Sequence, residues 1–236
     1  MTLFKLLISL IVCLIANQAH SETIKTDQLE HQNNVRASFK LFSETKRKNF
    51  SYTITKYENE EGDVTSSLET YSPAESIAQS WSLIELNGEI PTTAQVNKYL
   101  KNKSKKKDKS KNNQSISISQ LVDIDTLQIL NENNEFIKSS FKVGYSRFGE
   151  DAKKKLEGIL TFDKNNQFVQ NIEIINNDNF SPMFSADINK LKLTLSFIKI
   201  KNAILPLSTK MRLVGSMAMF IEIDEISTVD YSNYTL

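Results

Sequence analysis

The chain reads as a β-dominated α+β protein built on a curved antiparallel sheet. Three observations carry this. Apolar and polar residues alternate at period two along most of the chain. Short turns join the alternating runs, which makes neighbours pair antiparallel. No segment alternates helix and strand as a parallel βαβ unit does. The order fits a strongly curved sheet with a few helices on its concave face, or a sandwich. With 39% hydrophobic residues in 236, there is enough apolar material for a core, so wholesale disorder is excluded. A net charge of +1 gives no overall field for nucleic acid.

Residues 1–21 read as a secretory signal peptide. Lys5 supplies the positive n-region, Leu6–Ala16 is an apolar run of 11 residues, and Ala19-His20-Ser21 sets small residues before a cut at Glu22. The run is well short of the ~20 residues of a spanning helix. A lipoprotein reading at Cys13 fails locally, because Val12 stands where Gly, Ala or Ser is needed. The expected mature protein is therefore one exported domain, 22–236, with no transmembrane segment. Cleavage removes Cys13 and His20, so the mature chain has no thiol and a single histidine, His31. That excludes a structural zinc site, a Cys nucleophile and a Cys–His pair.

The elements follow in order. Val35, Phe39 and Phe42, spaced i, i+4, i+7, predict a helix over 33–47. Phe50, Tyr52 and Ile54 alternate with polar residues and predict a strand. Glu60–Asp63 turns into a second strand ending at Tyr71. Trp81–Leu86 is a third, followed by Asn87-Gly88, a tight-turn signal because both positions tolerate positive φ. Pro91-Thr92-Thr93 opens a helix to about Leu100, with Thr92 as its cap. Residues 101–114 hold seven Lys, one Asp and no apolar side chain, and predict a disordered loop. Hairpins are predicted over 127–145 and 156–175. Leu191, Leu193, Leu195 and Phe197 share one strand face. The apolar parity then switches to Ile198 and Ile200, as a β-bulge would produce. A last long strand is predicted from Met211 to Ile226, with Gly215 at a bend.

Candidate chemistry is sparse. His31 sits in a polar stretch and reads as exposed. No Gly-x-Ser-x-Gly elbow or Gly-rich phosphate loop is present. Glu150, Asp151, Glu222, Asp224 and Glu225 are carboxylates without a constellation. The expectation is a non-enzyme with no metal and no cofactor. Met183, Met211, Met217 and Met219 read either as core filling or as the wall of a greasy groove, since Met adapts to varied apolar ligands. Lys101, Lys103, Lys105, Lys106, Lys107, Lys109 and Lys111 read as a solvated loop, or as a patch for an anionic surface. They lack the interleaved aromatics of a nucleic-acid reader, so no nucleic acid is expected.

One local pattern carries a resemblance. Tyr71-Ser72-Pro73, then Trp81-Ser82-Leu83 through Asn87-Gly88-Glu89-Ile90-Pro91-Thr92, resembles a group of uncharacterised exported proteins of Gram-negative bacteria. Gly158–Asp163 and the closing Tyr231-Ser232-Asn233-Tyr234 fit the same order. The hairpin arrangement is similar to the LolA/LolB-like fold, a half-open β-barrel covered by helices. That similarity implies a periplasmic protein with an apolar cavity for acyl chains. The expected groove wall is Trp81, Leu195, Phe197, Met217, Met219 and Ile221, for a lipid or acyl chain. The alternative is docking of an envelope protein or anionic surface through a sheet edge or Lys101–Lys111.

Overall fold

The alternating runs pair into one sheet rather than the two of a sandwich. The computed structural model describes residues 27–110, 118–144, 149–183, 185–218 and 221–236. Its strands are β1 (Ser51–Glu60), β2 (Asp63–Tyr71), β3 (Trp81–Leu86), β4 (Val122–Glu132), β5 (Phe136–Val143), β6 (Leu156–Asp163), β7 (Phe168–Asn176), β8 (Phe180–Met183), β9 (Ala186–Ile200), β10 (Ala203–Met217) and β11 (Ile221–Thr235). They form an 11-stranded antiparallel sheet in the order β3-β2-β1-β11-β10-β9-β7-β6-β5-β4, with β8 against β9. β3 and β4 are its two edges, so the sheet is open. The helices are α1 (27–44), α2 (Ile77–Ser80), α3 (Thr93–Ser110), α4 (Ile118–Leu121) and α5 (Gly149–Lys155).

Local turn chemistry sets the first hairpins. Glu61 and Gly62 adopt φ of 55° and 94° between β1 and β2. Asn87 and Gly88 adopt 53° and 79°, and Leu86 and Glu89 close the turn with reciprocal backbone bonds of 2.9 and 3.1 Å. Thr92 caps α3 in a capping box: its Oγ1 accepts from Gln95 N at 3.4 Å, and its N donates to Gln95 Oε1 at 2.7 Å.

α1 is laid across the strands. Over 27–44 such a helix is about 27 Å long, against about 24 Å for six strands side by side. Its side chains meet successive strands. Gln28 Nε2 donates to Leu127 O of β4, and His31 Nε2 lies 2.8 Å from Ser139 Oγ of β5. The His31 ring packs edge-on to Phe162 of β6 at 5.8 Å. Val169 N of β7 donates to Ser38 Oγ at 2.8 Å, beside a register shift that frees it from the ladder. Phe42 packs edge-on to Phe197 of β9 at 5.2 Å. Beyond the helix end, Ile204 N of β10 donates to Thr45 Oγ1 at 3.2 Å. Val35 and Phe39 complete the main core with Leu160, Phe162, Ile172 and Ile174. A second cluster gathers Phe50, Tyr52, Ile54, Ala203 and Leu205, with Tyr71, Trp81 and Tyr231 against it.

Several expectations are corrected. Helix already covers 27–32, ahead of the start expected at 33, and His31 is buried, 1% exposed, rather than solvated. Residues 101–110 continue α3 as helix instead of forming a disordered loop; residues 111–114 lie outside the described residues, as does the predicted signal peptide. Helix persists because Lys is a good helix former and Lys103 is tied to the sheet at Glu69, 2.6 Å away. Met211–Ile226 is not one strand: β10 and β11 are separate, with Ala218 at φ 50° after β10. No Gly, Asn, Asp or Pro marks that turn in the sequence. Gly215 is instead a buried bulge position, where an added Cβ would stand 2.2 Å from Asp187 O. The parity switch after Phe197 has its irregularity in the partner strand, between Pro206 and Ser208. Phe197 faces the main core, while Ile198 and Ile200 pack on the second cluster.

Candidate functional site

An apolar cleft lies where α1 ends over β9 and β10. Leu193 and Leu195 of β9 point to the α1 side but remain half-buried, because Phe39 and Phe42 do not cover them fully. α4 closes one side with Ile118 and Leu121, and Pro206, at the β10 bulge, closes the other. Proline is tolerated there because the ladder is already broken. The cleft encloses about 760 Å³, within the range of small-molecule sites.

Its polar rim has one sign. Arg36, Lys40 and Arg47 line it, and among the described lining residues there is no Asp, Glu or His. Arg36 is paired with Asp125 outside the cleft, and Lys40 lies 3.9 Å from Glu44. Arg47, in the 3-10 turn Arg47–Asn49 that follows α1, has its Nε buried without a hydrogen-bond partner. Burial acts to lower its pKa, but Tyr52, Tyr231 and Tyr234 outweigh that and hold it raised. The group is thus a permanent cation.

Arg47 also lines a second cavity of about 450 Å³, walled by Tyr52, Tyr71, Trp81 and Tyr231 with Lys48, Lys56 and Lys103. Its guanidinium lies 4.6 Å from the Tyr52 ring centre and 4.4 Å from that of Tyr231. Lys103 Nζ sits 3.5 Å over Trp81. Beneath them, buried Glu69 receives Lys56, Lys103 at 2.6 Å and the Tyr99 hydroxyl at 3.0 Å. Burial alone would raise the Glu69 pKa; the bonds from Lys103 and Lys56 prevail and hold it lowered. The same carboxylate, after burial, pushes the Tyr99 hydroxyl well above its ordinary value.

The six predicted wall residues do not share one groove. Leu195 and Phe197 line the cleft under α1. Trp81 stands in the second cavity, 4.9 Å from Tyr71 between ring centres. Met217 and Ile221 pair at the far tip of β10–β11, 42% and 54% exposed. They are about 26 Å along β10 from Thr209 at the cleft. Met219 lies outside the described residues, so no methionine wall forms around the cleft among them. Of the predicted lysine patch, Lys101 and Lys105 are exposed on α3, Lys103 is held at Glu69, and Lys111 lies outside the described residues. The backbone at Lys106, Lys107 and Lys109 is helical. Of the predicted carboxylates, Asp151 pairs with Lys155 at 3.0 Å, while Glu222 and Asp224 line a separate cavity of about 480 Å³ with Glu61 and Arg212, where Arg212 pairs with Asp224.

Sequence reasoning missed Phe39, Phe42 and Arg47 as cleft residues. The apolar spacing that predicted the helix was their signal, but it does not say which part of a helix face stays uncovered. Among the described residues no His, Cys, Asp and Glu group could hold a metal ion, and no helix is long and apolar enough to cross a membrane.

No family model and no curated protein matches the chain. Among solved structures, a DUF1329 family protein from Desulfovibrio piger is similar over 85% of this chain and 92% of its own, at 11% identity and a TM-score of 0.30. So loose a superposition carries no argument, and the site stands on its own geometry.

Proposed function

We propose that the protein is a non-catalytic periplasmic module that holds an apolar, lipid-like ligand in the cleft under α1. Export by the signal at 1–21 and a role in envelope maintenance, on the pattern of LolA/LolB-like carriers, belong to the same reading. One observation carries it: an apolar cleft of about 760 Å³ whose described rim is cationic and contains no acid or histidine. Such a lining suits an acyl chain ending in a negative group. It offers no acid–base pair, which supports binding over catalysis.

Displacement of a fluorescent fatty acid from the purified protein tests this. Leu195→Trp, which partly fills the cleft, is expected to weaken binding by roughly tenfold or more while circular dichroism stays native. Equal binding by the native protein and the filled variant contradicts the reading.

A second reading rests on α3, which carries Lys101 and Lys105 exposed on either side of its anchor at Lys103. This end of the helix would meet an anionic envelope surface or partner. Deleting 104–114, which spares Lys103, is then expected to abolish binding to phosphatidylglycerol vesicles with folding intact. Unchanged vesicle binding removes this reading.

A further inference from the structure

We infer that the aromatic–cationic cavity at Trp81 is the headgroup pocket of the same site, and that the ligand is an anionic phospholipid. This rests on the cleft reading above and names its ligand class. Arg47 lines both cavities, so a chain leaving the cleft reaches the second cavity at that residue. The cleft is apolar; the second cavity presents four cations, Arg47, Lys48, Lys56 and Lys103. One buried carboxylate, Glu69, engages two of them, which leaves an excess of positive charge facing the opening. Arg47, which lines both cavities, offers its guanidinium for charge-assisted hydrogen bonds to a phosphate there.

The aromatic rings sharpen the class. A cage of Tyr and Trp would ordinarily suggest a quaternary ammonium ligand. Here the rings already hold the protein's own cations: Arg47 over Tyr52 and Tyr231, and Lys103 over Trp81. A choline or ethanolamine group would find those faces taken and like charge around it. A phosphate with a neutral substituent, as in phosphatidylglycerol, meets the four cations without that repulsion.

Trp81 is the chain's only tryptophan, so its emission reports on this pocket directly. The full chain is titrated with short-chain phosphatidylglycerol, with phosphatidylcholine of equal chain length, with the free fatty acid and with inorganic phosphate. Phosphatidylglycerol is expected to bind roughly tenfold or more tighter than phosphatidylcholine, because both bring the same phosphate and only choline adds a cation beside the four already there, and to shift Trp81 emission. The fatty acid is expected to occupy the cleft and leave that emission unchanged. Lys48→Gln and Arg47→Gln are expected to erase the preference between headgroups; Lys48 is exposed, so its loss does not threaten folding. Equal affinity for the two phospholipids, with the fatty acid still bound, overturns the headgroup pocket and leaves the cleft. A shift with inorganic phosphate equal to that with phosphatidylglycerol assigns the pocket to free phosphate and overturns the lipid proposal. No binding of any chain-bearing probe overturns both.

Discussion

At Glu69 a carboxylate is buried under two lysines and a tyrosine, and its ionisation fastens α3 to the sheet. Its pKa is lowered in the folded protein from the ordinary 4.5. The stability it contributes is therefore present above that ordinary value and lost as pH falls through the lowered one. Trp81 emission, which senses Lys103, is expected to stay constant from pH 8 to 5 and change only at more acid pH. A change centred near neutrality contradicts the assignment. His31 has the same sign for a different reason. Burial lowers its pKa against a smaller opposing effect of Glu132, so it folds neutral and the unfolded chain takes up the proton. Stability is expected to decline as pH falls below about 6.5, and His31→Gln to flatten that slope in urea titrations from pH 7 to 5. Gly158 is a packing position: an added Cβ would lie 2.1 Å from the Phe141 ring, across the ladder from it. Gly158→Ala is expected to cost about 1–3 kcal/mol of stability, read as a lowered Tm. Neither His31 nor Lys103 was legible in the sequence, because their partners lie 108 and 34 residues away. Nothing local distinguishes a lysine that finds a buried carboxylate from one that does not.

At the scale of elements, devices that act within four residues were readable. Asn87-Gly88 turns where its tolerance of positive φ requires, and Thr92 caps α3 through Gln95. The β10–β11 connection was not readable, since its turn places Ala218 at positive φ with no glycine to announce it. Composition also misjudged α3. A run of lysines has no apolar face to bury, so it reads as unstructured; one cation seated on Trp81 and Glu69 holds the helix in register. Lys103→Ala is expected to loosen α3, seen as faster amide exchange over 97–105, while β1 and β11 keep their protection. Unchanged exchange in α3 contradicts the latch.

For the whole molecule, period two made the β-dominated sheet legible, and the switch to helical spacing located α1. Strand order and the line of α1 across it were not, because they depend on pairing between residues far apart in the chain. The cleft follows from that line: α1 covers β4 to β7 closely, and Phe39 and Phe42 leave Leu193 and Leu195 partly bare beneath its end. The expected groove failed as a set because shared apolar character does not bring Trp81, Leu195 and Met217 to one place on so wide a sheet. Native mass spectrometry of the gently purified native protein tests the central claim most directly. The account predicts an adduct of several hundred daltons that disappears on solvent extraction and is absent in Leu195→Trp. A clean, unliganded mass for the native protein, or the same adduct on the filled variant, would contradict it.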